Sequence, residues 1–232
     1  MFTKKVKQRR GRPEGTTPQG IEARRRLYEA AIELIGRNGY EATTMREVAG
    51  AVGVSAGLLY KYFPSKQAVV LTFYDELSAE YASRAEEIAA GKWRTRFAIA
   101  METCLEVLGP HRKTLISLAP VLVGDSENGL FAAHTEFSRK RVEAVFLNVV
   151  GGASDAPASA LSESLGRLLY LLHLAVILWW LLDKSPKQMA THALVALLER
   201  ILVSFSVALM LPQVRGFVRS ADDLVKEALF GT

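Results

Sequence analysis

Thr43-Thr44-Met45-Arg46-Glu47-Val48-Ala49-Gly50-Ala51-Val52, then Gly53-Val54-Ser55-Ala56-Gly57-Leu58-Leu59-Tyr60-Lys61-Tyr62-Phe63-Pro64-Ser65-Lys66, is the stretch on which the fold turns. Thr44 stands three residues before Glu47, the spacing of a capping box, so a helix starts at Met45. Gly53-Val54 interrupts it. Ser55 is placed to cap a second short helix, Ala56 to Phe63, which Pro64-Ser65 breaks. A long helix follows from Lys66 through Val69, Val70, Phe73, Leu77 and Tyr81 to about Ala90. Upstream, Ile21, Leu27, Tyr28, Ala31, Leu34 and Ile35 form one apolar stripe from about Pro18, stopped at Asn38-Gly39.

Two short helices joined by a tight glycine-containing turn make a helix-turn-helix. A duplex major groove is about 12 Å wide and admits one helix, and residues early in the second helix reach base edges. Val48, Ala49 and Val52 pack inward from the first helix, and Leu59 and Phe63 anchor the second. Ala56, Gly57, Leu58, Tyr60, Lys61 and Tyr62 are left for other faces. Lys61 can neutralise a phosphate, and Tyr60 and Tyr62 can donate to phosphate oxygens while their rings pack on sugar or thymine methyls. Gly57 permits close backbone approach. Thr44, Ser55 and Lys66 lie at helix starts, where backbone N–H groups favour phosphate.

These residues resemble the signature of TetR-family transcriptional regulators. The likeness runs through Thr43–Ala49 and Gly53–Lys66, with Ala30-Ala31, Leu34-Ile35 and Gly39-Tyr40 resembling the end of that family's first helix. It covers about residues 20–70. The family often has proline or lysine at position 56, where this chain has Ala56. It usually has a smaller residue at 58 than Leu58, a difference that bears on which bases are read. The resemblance implies an all-α homodimer, usually a repressor, whose larger C-terminal domain binds a ligand that releases DNA.

Charge points the same way. Residues 1–66 hold 13 basic and 6 acidic side chains, while the rest hold 16 and 18. Lys4, Lys5, Lys7, Arg9, Arg10 and Arg12 crowd the first twelve residues, which contain no acid. Arg9-Arg10-Gly11-Arg12-Pro13 has the look of an AT-hook, and extended arginines fit the narrow minor groove of A·T-rich DNA. The plainer reading is a solvated tail that adds non-specific affinity at low salt. Arg24-Arg25-Arg26 reads as an exposed helix face. No apolar run follows the basic start, as a signal peptide would need.

Beyond Gly91 everything reads as helix, near 93–108, 114–123, 129–150, 159–183, 187–211 and 220–230. Pro212 to Gly216 is among the separators. No sustained period-two alternation appears, so the fold is all-α: an arm (1–17), a three-helix DNA-binding domain (18–66) and a larger ligand-binding and dimerisation domain (67–232). Leu168 to Leu182 spans 15 residues, short of the roughly 20 of a membrane span, and with Ile201 to Leu211 reads as buried helix. Helices apolar on more than one face suit a four-helix dimer interface, with Leu165, Leu172, Trp179, Leu194, Leu198, Leu202 and Phe205 as its candidates. Several of these must instead face the subunit's own core.

An effector pocket needs apolar walls and a few polar groups. Phe97, Met101, Phe131, His134, Phe137, Tyr170 and His173 are the candidates, with Cys104, Glu102, Trp179 and Trp180 beside them. Each also reads as ordinary core packing. The few polar groups imply a small hydrophobic or amphipathic effector. A composition 50% hydrophobic and 23% charged is that of a globular chain, and one cysteine excludes an internal disulfide and fits the cytoplasm. The four histidines form no zinc spacing, and there is no Walker loop or G-x-S-x-G elbow, so no enzyme, metal or cofactor is expected. The residues imply a homodimeric, ligand-responsive regulator on a palindromic double-stranded DNA operator, without a membrane partner. The alternative is a helical small-molecule-binding or adaptor dimer whose DNA-binding module is vestigial.

Overall fold

The computed structural model describes residues 17–124, 129 and 131–230, and among them every regular element is helical. The chain divides after Val69 into two compact units.

The first unit is built from three helices and the start of a fourth. In α1 (Pro18–Asn38), Thr17 Oγ1 accepts from Gly20 N and proline occupies the first turn, where no backbone donor is needed. In α2 (Met45–Val52) the capping box is complete. Thr44 Oγ1 accepts from Glu47 N at 3.2 Å, and Glu47 Oε2 accepts from Thr44 N at 2.8 Å. Gly53 ends α2 at φ 75°, a left-handed conformation that glycine adopts without strain. In α3 (Ala56–Tyr62), Ser55 Oγ accepts from Leu58 N. Leu27, Ala31, Leu34, Met45, Val48, Ala49, Leu59, Phe63 and Val69 close one core, with Val52 packed against it.

α4 (Lys66–Ala85) carries the chain into the second unit, where it is followed by α5 (Trp93–Leu108), α6 (Arg112–Gly124), α7 (Glu136–Gly151), α8 (Ser159–Leu182), α9 (Met189–Ala208) and α10 (Pro212–Val225). α7 and α8 pack most extensively. Their approach is close at Gly166, where a Cβ would lie 3.0 Å from Leu147 Cα. Asp222 of α10 is fully buried and ties that helix to α8 through Arg167 at 2.7 Å and Ser164 at 2.9 Å.

Several helix ends differ from those read in the sequence, each for a local reason. α4 stops at Ala85, short of Ala90, and the carbonyls of Ile88 and Ala89 bond instead to the buried Arg96 guanidinium. α7 starts at Glu136, not 129, because Thr135 Oγ1 turns back to the carbonyls of Gly129 and Ala132. α6 starts at Arg112, two residues early. α9 starts at Met189, after left-handed Lys187 and Gln188, and Asp183 caps it by accepting from Thr191 N and Oγ1. α10 starts at Pro212 rather than near 220: the proline read as a separator occupies the first turn.

α8 and the segment Pro186–Ala208 are long and apolar enough to cross a membrane by length and composition. Neither is buried on all sides in the single chain. α8 leaves Leu178, Trp179 and Leu182 exposed, and α9 leaves Leu197, Ile201, Val203 and Val207.

Thr44→Ala removes the acceptor of Glu47 N, and a lost cap costs about 1 kcal/mol. Urea unfolding is expected to show that loss, whereas Arg46→Ala, on the same helix but outside the cap, is expected to lie within about 0.5 kcal/mol of the wild type.

Candidate functional site

α3 has seven residues, too few to be stable alone. Its conformation comes from its anchors. Leu59 is fully buried and Phe63 nearly so, with Tyr28 stacked on Phe63 at 6.3 Å and the Arg24 guanidinium 4.9 Å from the same ring. Anchoring through positions 59 and 63 turns the other side of α3 outward. Gly57 and Lys61 are exposed, and Tyr60 is 51% exposed, an unusual place for an aromatic ring. Ala56, Leu58 and Tyr62 are half-buried, and Tyr62 packs against the core cluster. The outward face of α3 is therefore narrower than the six residues read from the sequence: Gly57, Tyr60 and Lys61, flanked by partly covered Ala56, Leu58 and Tyr62.

The Lys66 side chain has a part that its place at a helix start did not announce. Its ammonium is turned inward, donating to the carbonyls of Tyr40 and Thr43, the latter at 3.0 Å, and lying 4.1 Å from the centre of the Tyr40 ring. It ties the first residue of α4 to the loop between α1 and α2. A side chain so engaged is a strut, and its charge is spent on carbonyl dipoles. Thr44 and Ser55 are exposed residues whose hydroxyls are occupied as caps. Arg25 pairs with Glu22 and Glu29 on its own helix, as an exposed charged face would. Arg9, Arg10 and Arg12 lie outside the described residues.

The second unit holds a cavity of about 110 Å³ between α4, α5, α6, α7 and α8. Of the pocket residues read in the sequence, Tyr170 and His173 line it, together with Cys104. Phe97 and Met101 are buried core residues outside its lining. Phe131, His134 and Phe137 are also outside it. They sit exposed around the start of α7, and Phe137, 72% exposed, lies 4.6 Å from the Arg141 guanidinium. The residues that sequence reasoning missed are Tyr74, Leu77, Ser78 and Tyr81, successive turns of α4 that form one wall, and Leu115 and Leu122 of α6. Their signal was present, since Leu77 and Tyr81 belong to the apolar stripe of α4. A stripe does not say whether it meets side chains or a void.

Among the described residues the cavity wall contains no charged residue. His173 Nε2 lies 3.3 Å from Cys104 Sγ, and its ring stacks on Tyr81 at 6.0 Å. Burial pushes the His173 pKa down to about 3, against a weaker upward pull from the Tyr170 backbone, and burial pushes the Cys104 thiol well up. Both stay neutral near pH 7. The hydroxyls of Tyr81 and Tyr170 are buried without a hydrogen-bond partner. Among the described residues no three His, Cys, Asp or Glu side chains come together as metal ligands would.

Of the residues proposed for a subunit interface, Leu165 and Leu202 are buried in the chain's own core. Leu172, Leu194, Leu198 and Phe205 are half-buried, and Trp179 is 50% exposed.

Residues 27–72 match the family model described as bacterial regulatory proteins, tetR family. The N-terminal unit is a tetR-family unit. The chain is 49% identical over 45 residues to the transcriptional repressor KstR of Rhodococcus jostii, covering 19% of this chain and 21% of that one. The chain spans less than half the length of the curated relatives it matches. The likeness of fold extends further. A tetR-family regulator from Streptomyces coelicolor superposes with a TM-score of 0.60 at 21% identity, covering 91% of this chain and 93% of that one. The regulator FadR of Bacillus subtilis, solved in complex with stearoyl-CoA, superposes with a TM-score of 0.58 at 17% identity, covering 75% and 96%. Both are likenesses of fold.

The strut and the buried histidine each have a measurable consequence. Lys66→Met is expected to lower the melting temperature, whereas Tyr60→Ala, which removes an exposed ring, is expected to leave it unchanged; thermal denaturation checks both. His173 binds no proton in the folded chain until about pH 3, while an unfolded histidine binds one near 6.5. Its neutral burial therefore contributes stability that is intact above pH 6.5 and is lost progressively as pH falls toward 3. Urea titrations at pH 7 and pH 4.5 are expected to show a larger drop for the wild type than for His173→Phe.

Proposed function

We propose that this chain is a homodimeric, ligand-responsive transcriptional regulator that binds a palindromic DNA operator, acts in the cytoplasm and has no catalytic role. The observation that carries this reading is the outward face of α3, with Gly57, Tyr60 and Lys61 presented by a helix whose other side is locked in the core. A helix set this way has the dimensions to enter a major groove, with Lys61 for phosphate and Tyr60 for sugar or base. The likeness to the repressor KstR over 45 residues supports a repressor. Residues 1–17 act as a basic arm, with Arg9, Arg10 and Arg12 in the minor groove. The first domain ends near Lys66, and the remainder binds an effector and dimerises. The FadR complex with stearoyl-CoA is a precedent for effector binding in this fold.

One helix reads too few base pairs for specificity, and pairing two copies reads two half-sites. The uncovered apolar side chains Trp179, Leu197, Ile201 and Val207 of α8 and α9 supply a surface for that pairing. α4 begins at Lys66 in the first unit and supplies Tyr74, Leu77, Ser78 and Tyr81 to the cavity wall, so one continuous helix carries both the strut and the wall.

Selection of bound duplexes from a random library at about 0.15 M salt is the test, with recovery of a palindromic motif as the expected result. Folded protein that enriches no motif, even after any copurified ligand is removed by unfolding and refolding, would favour the vestigial-module alternative. Deleting residues 1–12 is expected to weaken binding and to flatten the dependence of log K on log salt by about 0.9 for each phosphate that the arm neutralises in the full chain; an unchanged slope would remove the arm from the interface. Leu197→Glu with Ile201→Glu is expected to shift sedimentation from dimer to monomer.

A further inference from the structure

The cavity combines three features that together specify a class of occupant. Among the described residues its wall carries no charged side chain. Its volume, about 110 Å³, is somewhat below the roughly 150 Å³ of an engineered apolar cavity that holds benzene, which sets the scale at one six-membered ring or a short chain. Two phenol hydroxyls in its lining residues, those of Tyr81 and Tyr170, are buried with no partner, and both rings lie 6.0 Å from the neutral His173 ring.

Buried hydroxyls nearly always find a partner, because an unpaired one forgoes the hydrogen bond it made to water. Two such groups, on residues of α4 and α8 that line one apolar void, are an unmet donor capacity. Phenols raised in pKa by burial stay protonated and so remain donors. An anion has no place there. Arg139 and Glu143 act on Tyr170 in opposite directions, Arg139 and Arg141 act on Tyr74, and none of the three is among the lining residues. A carboxylate would surrender its hydration without gaining a cation. A bare hydrocarbon would fill the void and leave both hydroxyls unpaired. Val123 and Leu178, the exposed members of the lining, mark its open end.

We propose that this cavity takes a small, uncharged, mainly hydrocarbon molecule bearing one hydrogen-bond-accepting oxygen, of the ketone, aldehyde or ester class, whose oxygen accepts from Tyr81 and Tyr170. This rests on the reading of the second unit as an effector domain and names the chemistry of that effector.

Three probes of one ring size separate the possibilities in the full chain: cyclohexanone, methylcyclohexane and cyclohexanecarboxylate, compared by calorimetry or ligand-observed NMR at pH 7.5. The ketone is expected to bind best, the hydrocarbon several-fold more weakly, and the carboxylate not at all. Tyr81→Phe and Tyr170→Phe each keep the ring and remove only the unpaired hydroxyl, so the fold is expected to be as stable as before or more so. Each is expected to weaken the ketone about three- to tenfold and to leave the hydrocarbon unchanged. A purely structural role for the hydroxyls would shift the melting temperature without altering that selectivity. Equal binding of ketone and carboxylate, ketone affinity unchanged in both variants, or no binding of any probe would each overturn the proposal. Duplex selection with the same protein keeps the two readings apart: a recovered operator with no probe bound defeats this inference alone. A bound ketone with no DNA bound in its absence defeats the regulator and leaves the cavity's chemistry standing.

Discussion

A seven-residue helix has no stability of its own, so everything α3 does depends on the burial of Leu59 and Phe63 in the core formed with α1 and α2. Those two side chains fix the rotation of the helix about its axis, and rotation decides which residues face outward. Tyr60 and Lys61 are presented because their neighbours at 59 and 63 are not. The strut at Lys66 completes the arrangement. It bonds the start of α4 to carbonyls of the α1–α2 loop, and so bounds the chain on the far side of the Phe63–Pro64–Ser65 break. A salt-dependent, solvent-facing role for Lys66 and this inward role are exclusive uses of one charge.

The second unit uses buried charge in a similar way. Arg96 gathers the carbonyls of Ile88, Ala89, Asn148 and Val149, Arg112 gathers those of Trp180, Leu181 and Asp183, and Asp222 accepts from Arg167 and Ser164. Each satisfies backbone or side-chain groups at the end of a helix and fastens that end to a neighbour. The hydroxyls of Tyr81 and Tyr170, on residues that line the cavity, are among the buried polar atoms left without such partners.

The sequence made the first unit legible almost to the residue, because its signals are local. A capping threonine three residues from glutamate, a glycine at a left-handed turn and a serine before a short helix each act within one turn of chain. The second unit was legible only as helices. Tyr170 and His173 were found as polar groups on an apolar helix, but Phe131, His134 and Phe137 were not separable from them: whether a side chain faces a void, a neighbour or water is set by residues far away in the chain. The same limit applies to α8 and α9, where a heptad-like guess placed Leu165 and Leu202 at a subunit surface and the packing of their own chain claimed both. Pro212 misled for the opposite reason. Proline marks a helix boundary without saying on which side the helix lies.

If the outward face of α3 meets DNA while the rest of the unit holds it in place, position 60 must lie against the duplex. The most direct measurement replaces Tyr60 with a photo-crosslinking residue, and in a second protein replaces exposed Phe137, and irradiates each with a random-sequence duplex pool at low salt. Crosslinked DNA from position 60 and none from position 137 is the expected result. Equal yields from the two positions, or none from position 60 with the protein folded and the duplex bound, would contradict it.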